Sequence, residues 1–368
     1  MWSFAPSRKP RSGCRVGSGG SISVLQIEQI SLDNSKDWDA YVHGHPTASP
    51  YHLMAWGQAV QRAYGHEAVY LAAKEKGQIC GVLPLVSMRV PLLGAQFCSL
   101  PFCDLGGVLA DSDAARQALI TRAGELMAAR GIRHTALRHS ERETQPDAAA
   151  GSKVRMLLPL QSSADEQFQQ FKSKLRSQVR KAGKNGVAFT EGSTPARRQQ
   201  FYQVMQVNMH QLGSPVHSRR WFDAVLDAYG DQARLGLVEF EGQTVGGAII
   251  LLCGATVTVP WASTLPQFNR LSPNMLLYWG LLSLAANSGY KTFDFGRSTV
   301  GEGTYRFKKQ WGAEPVPLQW EQLTADGLAP IPGSEGGGMR DKVATAWQKL
   351  PPAVVNWLGP ILRRYISL

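Results

Sequence analysis

Cysteine is scarce in this chain, and what little there is forms no pair. Cys14, Cys80, Cys98, Cys103 and Cys253 are an odd, scattered set without CxxC spacing, which argues against a disulfide framework and for a reducing compartment, the cytoplasm by default. Cys98 and Cys103 flank Leu100-Pro101-Phe102 and read as buried thiols with no chemical role. The eight histidines show no metal-ligand spacing, and His43 and His45, beside Pro46, read as surface residues of a turn; no metal site is expected. No Walker phosphate loop, HExxH or GxSxG is present, which removes three familiar catalytic sites. Residues 1–20 are rich in Arg, Ser and Gly but lack the apolar core of a secretory signal, so 1–22 is expected to be a disordered extension or a start-site artefact. The uncharged run 244–269 is broken by Gly254, Pro260 and Pro266 and reads as a buried β-hairpin, not a membrane span.

What the chain does have is length, apolar content and positive charge. Its 368 residues, 43% hydrophobic, suffice for two domains whose cores need neither metal nor disulfide. The net charge of +11 favours an anionic partner; nucleic acid, a nucleotide-linked sugar, coenzyme A and acidic lipid all qualify.

An internal repeat organises the chain. Gly77-Gln78-Ile79-Cys80-Gly81 and Gly242-Gln243-Thr244-Val245-Gly246 are both G-Q-x-x-G, 165 residues apart. Each lies between two apolar, strand-like runs (68–73 and 82–86; 235–240 and 248–252), so each is expected to be a hairpin turn. Downstream, a helical segment ending at Gly131 leads into a strand over 132–137, and another ending at Gly289 leads into 290–295, a spacing of 158. Strand, turn, strand, helix, strand is the order of an acyltransferase-type α/β domain. Its duplication predicts two such domains forming one rigid body, with the active cleft mostly in the second. The first is expected over 23–155 and the second over 156–325, followed by a linker over 326–338 and an amphipathic tail over 339–368. In the tail, tryptophans alternate with basic residues, and Pro351, Pro352 and Pro360 divide it into short helices. Contact with a membrane interface and docking on the protein's own surface are equally good readings of it.

Residues 293–315 read FDFGRSTVGEGTYRFKKQWGAEP. Phe293 and Phe295 alternate with Asp294 as on a strand that Gly296 ends, Gly301 and Gly303 form a loop, and Tyr305, Phe307 and Trp311 alternate with Arg306, Lys308 and Lys309. This segment resembles the end of the FemABX-like aminoacyl transferases, a strand, glycine loop and Phe-Lys-x-x-aromatic-Gly. The stretch LRSQVRKAGKNGV at 175–187 resembles that family's basic helix. Trp261-Ala262-Ser263 and Pro273-Asn274, ahead of an apolar helix, resemble its substrate-lining strand and proline-led helix. The resemblance covers most of 49–320, and the nearest type is the FemAB-like proteins that accompany PEP-CTERM and exopolysaccharide systems.

The resemblance implies two tandem GNAT-like α/β domains (acyl-CoA N-acyltransferase type) and N-acyl transfer, in which an amine attacks an activated carbonyl and a fixed cation stabilises the oxyanion. That role falls on Lys308. Asp294 would orient the amine or take its proton, or else cap a loop, and Tyr305 would position substrate. Arg176, Arg180 and Lys181 lie on a helix expected over 168–186, where Lys172, Arg176, Arg180 and Lys184 form a stripe with no acidic residue between 171 and 186. The stripe reads either as a phosphate-holding surface or as a solvated face. Trp261, Arg297 and Arg306 complete the expected substrate-binding set. Arg297 followed by Gly301 and Gly303 compares with the pyrophosphate loop of coenzyme A acetyltransferases, but it is one residue longer and no helix evidently follows, which weighs against acyl-CoA. No long charged heptad segment suggests the coiled-coil arm of some peptidoglycan branching enzymes, which weighs against a peptidoglycan acceptor and charged tRNA. The expected donor is aminoacyl-tRNA or acyl-CoA, with no bound cofactor. The expected partners are an envelope glycan or peptide precursor, tRNA and, through the tail, the inner face of the cytoplasmic membrane. The alternative is a non-catalytic module binding an anionic sugar nucleotide or polysaccharide.

Overall fold

The structure, a computed structural model, describes residues 25–90, 94–140, 145, 147–331 and 337–367; the extension expected over 1–22 and Cys14 lie outside them. The first half runs β1 (Gln26–Ile30), α1 (Lys36–Gly44), α2 (Met54–Tyr64), β2 (Glu67–Glu75), β3 (Gln78–Val90), β4 (Gly94–Cys98), β5 (Leu109–Ala110), α3 (Asp113–Ala129) and β6 (Thr135–Ser140). The second runs β7 (Lys153–Pro159), α4 (Ala164–Gln170), α5 (Ser173–Lys184), β8 (Ala188–Glu191), α6 (Pro195–Gln211), α7 (Arg219–Tyr229), β9 (Ala233–Phe240), β10 (Gln243–Cys253), β11 (Thr256–Thr264), α8 (Pro273–Asn287) and β12 (Thr292–Thr299). It closes with α9 (Gly303–Gln310), β13 (Glu314–Thr324), β14 (Gly327–Pro330), α10 (Gly337–Gln348) and α11 (Pro352–Arg363).

Both G-Q-x-x-G segments are hairpin turns of the same kind. Lys76 and Gly77 have φ of +51° and +80°, and Glu241 and Gly242 +49° and +77°, the two successive left-handed residues of a tight two-residue hairpin. The bulge that follows is also duplicated. Ile79 faces Lys74 and Gly81 faces Ala73, leaving Cys80 over; Thr244 faces Glu239 and Gly246 faces Val238, leaving Val245 over. The repeat extends upstream of the turns at the same 165-residue spacing. Ser49, Pro50, His52, Trp56, Ala59, Val60, Ala63, Tyr64 and Gly65 recur as Ser214, Pro215, His217, Trp221, Ala224, Val225, Ala228, Tyr229 and Gly230.

These repeated residues are where the halves meet. α2 packs on α7, Trp56 meets Trp221 edge-on with ring centroids 5.1 Å apart, and both rings are fully buried. The Tyr229 hydroxyl donates to the Pro50 carbonyl (2.6 Å), and the Ser218 amide donates to the Tyr64 hydroxyl (3.3 Å). Each half thus lends its tyrosine to the other, and one hydrophobic core runs across the seam.

The sheet joins the halves a second way. Its strand order is β1-β2-β3-β4-β6-β13-β7-β12-β11-β10-β9-β8. β7 follows β6 in the chain but pairs with β12, and β13 follows α9 but pairs with β6, while β7 and β13 pair with each other. The expected boundary at 155/156 therefore falls inside β7, a strand laid beside β12 in the second half's sheet.

Three local expectations are corrected. The helix expected over 168–186 is two, α4 and α5, separated by an extended Phe171 (φ −72°, ψ 146°) whose ring is buried. The linker expected from 326 opens with β14, antiparallel to β13. Pro360 lies within α11 and does not divide the tail. The tail docks on its own protein: Gly359 lies against Val216 and Trp347, and Phe102 N donates to Ser367 O at 2.6 Å.

Candidate active site

β12 is longer than its sequence suggested. Gly296 does not end the strand; it sits in a bulge where Asp294 faces Leu157 and Arg297 faces Arg155, with φ of +73°, a value that glycine adopts without strain. Phe293 and Phe295 are buried with Asp294 between them, itself only 2% exposed. A buried carboxylate needs compensation, and it has two sources here. Arg155 on β7 donates from Nε (3.1 Å) and Nη2 (2.7 Å) to Oδ2, and the Gly296 amide donates to Oδ1 (2.8 Å).

β11 and β12 run in parallel only as far as Thr258 and Asp294. Beyond that pair β11 stays with β10 and β12 with β7, so the sheet opens at the bulge. α9 turns back onto β12 and β7 and sends Lys308 to the bulge, where Nζ donates to Gly296 O (3.1 Å) and Arg297 O (2.7 Å). Lys308 is 7% exposed. Burial pulls its pKa down to about 8; Asp294 and Asp104 oppose that shift and Arg297 adds to it.

The alternating aromatic and basic residues after the glycines, where no helix was evident, form the helix α9. Tyr305 and Lys308 lie three apart on α9 and share a face, with Tyr305 partly buried against the second core. Arg306 points to solvent and donates to Gly301 O at 2.6 Å. The objection that no helix follows Gly301 and Gly303 also falls, since α9 starts at Gly303.

The first half completes the site. Arg297 pairs with Asp104 (Nε to Oδ1, 3.3 Å) and lies 5.4 Å over the Trp320 ring, whose Nε1 donates to Asp104 O. Asp104 belongs to the loop after β4. On that loop's other side opens a polar cleft of about 700 Å3, lined among others by Asp111, Asp113, Arg116, Arg138 and His139. This cleft is lined mostly by the first half, whereas Lys308 and the β12 bulge belong to the second. His139 accepts from the Val108 amide at Nε2 (2.8 Å) and lies 3.2 Å from Glu321 through Nδ1, and burial lowers its pKa, favouring the neutral ring.

Lys308, Asp294, Tyr305, Arg297 and Arg306 are brought together on β12 and α9. Trp261 faces the aromatic seam instead, stacked on Trp56 at 5.9 Å and 5.2 Å from Phe222. Arg176, Arg180 and Lys181 lie on α5, which packs on α8. Arg176 bonds Gln169 Oε1 (2.9 Å), Arg180 covers the Phe168 ring at 5.1 Å, and Lys181 is exposed. Phe171, between α4 and α5, lies 5.4 Å from the ring of Trp311, the residue that ends α9. Sequence reasoning missed Arg155, Asp104 and Trp320. Arg155 carried a signal, a charge between Val154 and Met156 in an apolar strand.

Residues 169–309 match the family described as Acetyltransferase (GNAT) domain. The lipid II:glycine glycyltransferase of Staphylococcus haemolyticus is 20% identical, the match covering 78% of this chain and 90% of that protein. Among solved structures, FemX superposes with a TM-score of 0.63 at 18% identity, over 80% of this chain and 94% of FemX. A tandem GNAT protein from the clavulanic acid biosynthesis pathway superposes at 0.51 and 11%, over 83% and 98%. The chain thus shares the tandem GNAT-type fold of these two structures, carries a match to the GNAT acetyltransferase domain, and is similar in sequence to a lipid II:glycine glycyltransferase.

Proposed function

We propose that the protein moves an aminoacyl or acyl group from charged tRNA or acyl-CoA to an amine on a peptidoglycan or exopolysaccharide precursor, with Lys308 holding the oxyanion. The observation that carries this reading is the fixing of a buried lysine by two carbonyls of a strand bulge. An ammonium has three donors. Two are engaged here, and the third supports a developing oxyanion at a position that costs no reorganisation during reaction. The amine nitrogen bonds to the carbonyl carbon, the charge collects on oxygen, and collapse breaks the ester or thioester and releases the tRNA hydroxyl or thiol. Asp294, already engaged by Arg155 and Gly296, serves as counter-charge, which leaves the amine's proton to solvent or the leaving group. Tyr305, Arg297 and Arg306 flank the donor, and Arg176, Arg180 and Lys181 offer charge to its phosphates.

The acceptor of the staphylococcal relative, named as lipid II, supports a peptidoglycan precursor ahead of an exopolysaccharide and offsets the missing coiled-coil arm. The mixed polar lining of the first-half cleft suits the hydroxyls and amides of such a molecule. Unpaired cysteines support a cytoplasmic setting, at the inner membrane face if the precursor is lipid-linked. Among the described residues no helix is long and apolar enough to cross a membrane.

The test is a donor and acceptor screen that compares charged tRNA with acyl-CoA, on nucleotide-linked and lipid-linked precursors, read by product mass. A mass increment with one donor is expected. Binding of precursor without any increment would favour the non-catalytic module.

A further inference from the structure

Large apolar side chains left in solvent are unevenly distributed over the described residues. Of nine, six are in the C-terminal segment: Val343, Val354, Trp357, Ile361, Leu362 and Ile366. A seventh, Leu212, is next to Gly213, which touches Ala344 of α10. α11 is apolar on two opposite sides. Val355 and Gly359 are buried against the body, while Val354, Trp357 and Ile361, at i, i+3 and i+7, form an outer stripe in which Trp357 is 69% exposed. A surface helix that only packs on its own protein has no need of that stripe.

The stripe is not waiting to fold inward, because the helix end is fixed. Arg364 O accepts from His66 (2.8 Å), Ser367 is held by Phe102 N and Arg138, and Arg363 lies over the Phe102 ring. The segment that carries the stripe has charge of one predominant sign: 341–367 contains Lys342, Lys349, Arg363 and Arg364 against Asp341 alone. Lys342 and Lys349 are exposed. A second copy meeting this face across a two-fold axis would set these cations against each other, whereas an anionic bilayer complements them and accepts an indole at its interface.

We infer that the outer face of α11 docks on an anionic lipid surface. Val354, Trp357 and Ile361 enter the interfacial region, and Lys342 and Lys349 engage headgroups. The proposal goes beyond the acyl-transfer reading and does not depend on which donor or acceptor is used.

Flotation of the full chain with vesicles of phosphatidylcholine alone, or with added phosphatidylglycerol, tests it without any precursor. The protein should float with the anionic vesicles, less so at high salt. Val354→Ser/Trp357→Ser/Ile361→Ser should weaken partitioning about tenfold or more. Lys349→Glu, which leaves the stripe intact, should weaken it about fivefold or more. Thermal melts should show both variants folded. The proposal is overturned if the wild-type chain stays with the unbound fraction, if the triple variant floats equally well, or if size exclusion shows a dimer that the triple variant disperses.

Discussion

The two halves of this molecule share a frame and differ in what their sheets enclose. Each has the same hairpin turn, the same bulge and the same tryptophan helix at a 165-residue spacing. Each also buries a cation against carbonyl oxygens beside its parallel strand pair. In the first half this is Arg138, whose donors reach Leu100 O, Cys103 O and Ser367; in the second it is Lys308. The difference lies in what remains free. Arg138 ties a loop to the C-terminus with its head group. Lys308 is delivered by α9, for which the described residues after β6 have no counterpart, and keeps a donor. At the 158-residue spacing, Ala136 stands where the second half has Asp294. The scaffold thus occurs twice, and the buried Asp294–Arg155 pair and the carbonyl-held Lys308 occur on one copy.

The largest expected effect follows from that asymmetry. Arg155→Met leaves Asp294 buried with only the Gly296 amide, and should destabilise the protein by about 3–5 kcal/mol, read by urea denaturation. Ala136→Ser, at the corresponding place in the first half, should cost far less; equal losses would mean the ion pair is not what sets the halves apart. The seam tyrosines sharpen the comparison at a smaller scale. Tyr229→Phe frees one carbonyl and should cost about 1 kcal/mol. Tyr64→Phe should cost more, since it strands both the Ser218 amide and His217 Nδ1, 2.8 Å from the lost hydroxyl. The reverse order would break the reading of Tyr64 as the more heavily bonded of the two crossing contacts. Smallest is Arg176→Gln/Arg180→Gln, which should move stability by no more than about 0.5 kcal/mol, because Arg180 is exposed and Arg176 only half-buried. If the pair holds donor phosphates, KM for the donor should rise in that variant while kcat holds; an unchanged KM would make α5 a solvated face.

Much of this frame was legible in residue order. The hairpin turns were readable because Gly77 and Gly242 sit where φ must be positive, a local constraint that sequence states directly. The Ser-Pro-x-His and Trp-x-x-Ala-Val-x-x-Ala-Tyr-Gly repeat was equally open to reading, but its meaning as a seam depends on packing across the halves. α9 was not evident because alternating aromatic and basic residues fit a strand, and only contact with β12 and β7 favours the helix. The exchange of β7 and β13 left no local trace, since either strand pairs as well with one neighbour as with another. Lys308 was named through family resemblance; its burial, its two carbonyl partners and Arg155 opposite belong to tertiary structure.

The central claim is that Lys308 acts as a charged, fixed donor, and the pH dependence of kcat tests it most directly. With the donor and acceptor found by the screen, kcat should be level below neutrality and fall as pH rises through about 8, because deprotonation removes the positive charge that the oxyanion needs. Lys308→Met should lose about 10²–10³ in kcat and show no such fall, with precursor binding retained. A kcat that rises through pH 8 in the wild type, or one that survives Lys308→Met, would contradict the account.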